Sequence, residues 1–140
     1  ACLDAFAGSG VLGFEALSRG ASEVTFVEQN RKTADRIKDN VKMLDANAST
    51  VYHQDVLSWL RSAQLKKPFD VVFLDPPFHS DLLAKSSAEL VSSGCLAEDA
   101  IIYVEHAVAE EIELPESWRN IKKKQAGQVS YQLFELSVKE

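Results

Sequence analysis

A chain of 140 residues, 46% of them hydrophobic, supports one domain with one core and needs neither disulfide nor metal to fold. A formal net charge of −6 argues against a general nucleic-acid-coating surface, although Arg31-Lys32, Lys66-Lys67 and Lys122-Lys123-Lys124 form local basic clusters that read as solvated faces. No apolar run approaches the roughly 20 residues that span a bilayer and no signal peptide opens the chain, so a cytoplasmic protein without a membrane partner is expected.

In chain order, apolar strand-like runs alternate with amphipathic helical patterns. Residues 1–5 read as a strand and 10–19 as a helix, with Val11, Leu12, Ala16 and Leu17 on one face and Gly20 just past its end. Residues 23–28 form a second strand. Asn30 is a good N-cap for a helix over 31–44, where Ala34, Ile37, Val41 and Leu44 recur at helical spacing. A strand at 48–54, a short helix at 56–63 and a nearly all-apolar strand at 69–75 follow; such apolarity suits a strand covered on both faces. Residues 80–92 read as a helix stopped at Gly94, and 100–106 as a fifth strand. Two extended runs, 118–125 and 129–139, flank Ala126-Gly127-Gln128 as an antiparallel hairpin at the sheet edge. The expected fold is therefore α/β, a mostly parallel seven-stranded sheet with right-handed crossovers, helices on both faces and a C-terminal antiparallel hairpin. That finish departs from a simple dinucleotide-binding fold and suits a Rossmann-like class I methyltransferase. Because the first residues already read as a strand and the chain does not begin with Met, a further N-terminal segment is expected in the full protein.

Gly8, Gly10 and Gly13 fit G-x-G-x-x-G between a strand and a helix, the context that gives the motif meaning. The motif fits NAD, FAD and S-adenosylmethionine about equally. Three acids at carboxyl ends of strands sharpen it: Asp4, Glu28 (20 residues after Gly8, suited to a ribose diol) and Asp55, which could meet an adenine amine or simply cap the helix behind it. S-adenosylmethionine carries a sulfonium and an ammonium and no phosphate, so an acid-lined pocket favours it over NAD. The two cysteines, Cys2 and Cys95, read as buried thiols, and His53, His79 and His106 are too scattered for a metal site; His79 alone stands beside a candidate substrate residue.

Asp75-Pro76-Pro77-Phe78 closes the fourth strand. Two prolines stop the strand and remove two backbone donors, leaving the Asp75 carboxylate and the Pro76 carbonyl as acceptors in a rigid turn. Such acceptors suit methylation of a planar exocyclic amine: gripping its N–H bonds frees a delocalised lone pair and stabilises developing positive charge. Phe78 can stack on the base.

Asp4-Ala5-Phe6-Ala7-Gly8-Ser9-Gly10, Val27-Glu28-Gln29-Asn30, Asp75-Pro76-Pro77-Phe78 and the tail Gly127-Gln128-Val129-Ser130-Tyr131-Gln132-Leu133 together resemble the RsmD family of 16S ribosomal RNA guanine-N2 methyltransferases. The resemblance implies S-adenosylmethionine as methyl donor, S-adenosylhomocysteine as product, and a guanine N2 in 16S rRNA of the small ribosomal subunit as acceptor, with the chain a monomer. It implies cofactor contacts at Asp4, Gly8, Gly10, Glu28 and Asp55, with Phe6, Ser9, Gln29, Asn30 and Val56 beside them. It implies amine contacts at Asp75, Pro76 and Phe78, with Pro77 in the same turn. Family members carry an N-terminal segment before the glycine loop that helps engage RNA. Alternative acceptors are a protein amide, a DNA adenine or a small amine; a nicotinamide-dependent enzyme is the alternative of a different class, and it would need a hydride-transfer acid or base that the sequence does not make evident.

Overall fold

Strand and helix follow one another in the expected order, and the differences lie at their ends. The computed structural model describes residues 1–63 and 67–136. Its elements are β1 (Cys2–Asp4), α1 (Val11–Ser18), β2 (Val24–Glu28), α2 (Arg31–Met43), β3 (Ser49–His53), α3 (Val56–Ser62), β4 (Phe69–Leu74), α4 (Leu82–Ser92), β5 (Leu96–Ala107), β6 (Trp118–Ala126) and β7 (Val129–Leu136). Lys66, and residues 137–139 of the last expected strand, lie outside the described residues. Among the described residues no helix is long and apolar enough to cross a membrane.

The sheet has seven strands in the order β3-β2-β1-β4-β5-β7-β6. Strands β1 to β5 pair in parallel, and β7 pairs antiparallel with both β5 and β6. The chain runs outward from β1 to β3, then returns to lay β4 on the other side of β1. That reversal is the topological switch point, where open α/β sheets bind ligands.

Each face of the sheet has its own core. One joins Leu3, Val27, Val72, Leu74, Ile102 and Val104 to Trp59 and Leu60 of α3 and Leu83 and Leu90 of α4. The other joins Cys2, Val24 and Phe26 to Ile37 of α2, with Phe14, Ala16 and Leu17 of α1 packed against it. Gly13 sets the second contact. A Cβ there would stand 2.3 Å from Phe26 Cε1, so only glycine lets α1 lie this close to the sheet. Ala16 and Leu17 of the expected face pack against this core with Phe14, and Gly13 is buried among them, whereas Val11 at the helix start is exposed. Leu44 is likewise exposed, because α2 ends at Met43 and Leu44 is its C-cap rather than a fourth core contact.

Two starts also move. Strand β5 begins four residues early, pairing Leu96 with Phe69 before an irregularity at which Glu98 and Asp99 stay exposed; ladder pairing resumes at Ile101. Helix α4 begins at Leu82 because Ser80 is used in the turn before it, its Oγ donating to the Pro77 carbonyl at 2.7 Å. Cys2 and Cys95 are buried and unlinked, as expected.

Candidate active site

The carboxyl ends of β1, β2 and β4 converge on a cavity of about 660 Å³, a size usual for small-molecule sites. Of the expected site residues, Phe6, Gly8, Glu28, Gln29, Asn30, Val56, Asp75, Pro76, Pro77 and Phe78 line it together. Ala5, Val27, Gln54 and Leu82 line it as well. Gln54 had a weak signal, a polar residue closing a strand one place before the acid that drew attention. Leu82 had none, since an apolar residue in the first turn of a helix reads as core. Asp4, Ser9, Gly10 and Asp55 stand outside the wall.

Glu28 organises one end of the cavity. Its Oε1 accepts the Gly8 N–H at 2.9 Å and its Oε2 the Asn30 N–H at 2.7 Å, so the carboxylate staples the glycine loop to the end of β2. Each oxygen keeps a lone pair for a further donor. The loop reverses through left-handed Gly8 (φ 54) and Gly10 (φ 81), backbone that L side chains rarely adopt. Asn30 caps α2 by accepting the Thr33 N–H at 3.0 Å, and the Gln29 carbonyl meets His53 Nε2 at 3.0 Å.

Asp4 lies beneath this loop, buried, with Oδ2 accepting the Gly13 N–H at 3.1 Å. Burial pushes its carboxyl up to about 7, the nearby carboxylates of Asp75 and Glu28 add to the rise, and the Gly13 hydrogen bond opposes it. Asp55 caps α3: Oδ2 accepts the Ser58 N–H at 3.0 Å and the Ser58 hydroxyl at 3.2 Å. Both capping bonds use Oδ2 and leave Oδ1 as an acceptor, so the cap and an adenine contact are compatible readings.

The turn at 75–78 forms the other end. Asp75 is half-buried where β4 stops, and burial, then the neighbouring Glu105 carboxylate, pushes its carboxyl up to about 6. Glu105 in turn accepts the Tyr103 hydroxyl at 3.3 Å. Phe78 is 43% exposed at the cavity rim. His79 takes a left-handed φ of 59 directly after it, and its N–H is accepted by Glu110.

Residues 1–135 match the family model described as Conserved hypothetical protein 95. Ribosomal RNA small subunit methyltransferase D of Haemophilus influenzae is 43% identical over 136 residues, spanning 96% of this chain and 70% of that protein. The Escherichia coli K12 protein of the same name is 41% identical over 135 residues, spanning 96% and 67%. A solved structure from Haemophilus influenzae superposes with a TM-score of 0.89 at 43% identity, covering 98% of this chain and 86% of that one. With glycine loop, switch-point cavity and proline turn in one enclosure, the chain has the Rossmann-like class I methyltransferase fold and belongs to the RsmD family, that of Ribosomal RNA small subunit methyltransferase D.

Proposed function

We infer that the chain transfers the methyl group of S-adenosylmethionine to the N2 amine of a guanine in 16S rRNA of the small ribosomal subunit. The observation that carries this is the continuity of one cavity from Glu28 to Asp75-Pro76-Pro77-Phe78. The names of the two relatives supply the RNA class. The amine comes from the chemistry of the turn, and its assignment to guanine N2 from the family resemblance.

The residues present fit the donor. Glu28 offers acceptors to a ribose diol, and Ala5, Val27 and Val56 offer apolar wall to a purine. A Cβ built on Gly8 meets no protein atom, so that stretch of backbone faces open space a ligand can approach closely. Asp4 beneath the loop would hold an ammonium group by charge. Bound S-adenosylmethionine supplies a methyl carbon activated by a sulfonium sulfur. At the acceptor end, Asp75 and the Pro76 carbonyl accept the amine N–H bonds, which turns the nitrogen lone pair toward that carbon. With the donor bound, the N–C bond would form as the S–CH3 bond breaks, its electron pair staying on sulfur to leave the neutral thioether of S-adenosylhomocysteine, and Asp75 or water would take the surplus nitrogen proton. Ionised Asp75 is the stronger acceptor and the form that can take a proton, and its carboxyl is raised to about 6, so transfer increases as pH rises through about 6. Stacking on Phe78 would hold the base in line.

The test is to incubate the protein with labelled S-adenosylmethionine and small subunits from a strain lacking the corresponding methylation, then digest the rRNA to nucleosides. Label in N2-methylguanosine is expected. Label in an N-methylated adenosine or in a protein amide would overturn the guanine assignment while keeping amine methylation, and label on a carbon or a ribose oxygen would overturn both. Unlabelled subunits would overturn the RNA substrate.

A further inference from the structure

We propose that Glu110, on the connection between β5 and β6, is a positioning residue that fixes where Phe78 presents itself to the target base. The proposal rests on the acceptor role just assigned to the 75–78 turn. Pro76 and Pro77 have no N–H, so the turn lacks the donors with which a backbone normally pins itself. Its next residues, Phe78 and His79, do have them. The His79 N–H goes to the Glu110 carboxylate, and His79 Nδ1 lies 3.9 Å from the same oxygen. His79 holds this contact from a left-handed φ of 59, a conformation that persists for a non-glycine residue where surrounding contacts determine it.

The two partners are unequal, and that sets the direction of the effect. The His79 side chain is 72% exposed and the Glu110 side chain 13% exposed. Glu110 also stands on an anchored segment. Its own N–H donates to the Ala107 carbonyl at 3.0 Å, the Val108 N–H donates to the Gln128 carbonyl at 2.8 Å, and Ile112 and Leu114 pack against the core. A mostly buried carboxylate on an anchored segment therefore grips a more exposed turn by its main chain, one residue after the exposed ring of Phe78. On the far side of the grip, Ser80 ties back to the Pro77 carbonyl. The turn is held at both shoulders and the ring between them is left free to meet a base.

Glu110 touches neither the cavity nor any atom that reacts, so its loss should appear in substrate placement and not in donor binding. Glu110→Ala should lower kcat/KM for small-subunit rRNA by about a hundredfold, the scale expected of a misplaced reacting group, with S-adenosylmethionine affinity and Tm close to wild type. Glu110→Gln keeps an oxygen acceptor for the His79 N–H and should recover activity to within about fivefold of wild type. In a Phe78→Ala background the further loss from Glu110→Ala should shrink to about twofold, because two residues acting through one ring are not additive. Full kcat/KM in Glu110→Ala, equal losses of Tm and donor affinity, or full additivity with Phe78→Ala would each overturn the proposal. A wild-type protein that leaves rRNA unmethylated would instead overturn the acceptor assignment beneath it.

Discussion

The two ends of the cavity hold their carboxylates by opposite means. At the donor end, Glu28 commits both oxygens to main-chain N–H groups, Asp4 takes the Gly13 N–H, and Gly13 lies against the ring of Phe26. Every functional group there is fixed by backbone within a few residues of a strand end. At the acceptor end, Asp75 is only half-buried, the turn carries two prolines of which Pro76 is buried, and the hydrogen bond that ties the residue after Phe78 to another segment runs to Glu110 on a distant connection. A small, fixed-shape ligand suits the first end, where preorganisation lowers the cost of binding. A base extruded from a large RNA suits the second, where an exposed ring must wait for a partner that arrives from outside. The contrast predicts that damage at the donor end changes affinity or stability, and damage at the acceptor end changes rate.

The sharpest separation comes from Asp75→Ala. Loss of one acceptor aimed at developing charge should cut single-turnover methylation by about a thousandfold, with S-adenosylmethionine affinity within a few-fold by calorimetry. A parallel collapse of donor affinity would show that the two ends are one unit. Next is Gly13→Ala. Its Cβ would collide with buried Phe26, costing about 3 kcal/mol in urea unfolding, and Phe26→Leu in the same chain should return about half of it. Smaller again is Glu28→Gln, which removes a charge and one of the acceptors shared by Gly8 and Asn30. Donor affinity should weaken by about thirtyfold, near 2 kcal/mol, while kcat at saturating donor stays within a few-fold.

The donor end was also the more legible in sequence, for the same physical reason. Gly8, Gly10, Glu28 and Asn30 act through local rules: left-handed backbone, strand-end acids and helix caps, all of which leave a mark within a few residues. What escaped was set by packing between distant segments. Val11 was expected in the core because helical spacing cannot reveal that a ring on β2 occupies the space beside Gly13. Asp55 offered two readings because a strand-end acid before a helix can serve both, and the Ser58 contact to Oδ2 adds the cap without removing the other. Glu110 sits 31 residues from His79 and was not singled out, since nothing in a run of surface acids marks the one that meets another loop. The turn at 75–78 was legible because proline writes its constraint directly into the chain.

Asp4 gives the smallest effect and the finest test of how the donor end is tuned. Its carboxyl lies near 7 in the fold against an ordinary 3.8. The folded state therefore holds this proton to higher pH than the unfolded chain does. Its contribution to stability is whole below about 4 and is lost as pH rises through about 7. A rise of about 3 units sets a ceiling near 4 kcal/mol at alkaline pH. Asparagine removes the charge, keeps an acceptor for the Gly13 N–H, and adds a buried amide donor that needs a partner, so the net gain is about 1 kcal/mol. Asp4→Asn should thus unfold at higher urea than wild type at pH 8 and at lower urea than wild type at pH 4, where the carboxyl is already neutral and only the cost of the buried amide remains. The same substitution should weaken S-adenosylmethionine binding, because an ammonium group above Asp4 favours the ionised carboxylate. Wild type binding the donor at pH 7 would then release part of a proton to the buffer, and Asp4→Asn would release none. Calorimetry in two buffers of different ionisation enthalpy reads this directly. Equal proton release by both proteins would place the ammonium elsewhere and leave Asp4 as a support of the glycine loop alone.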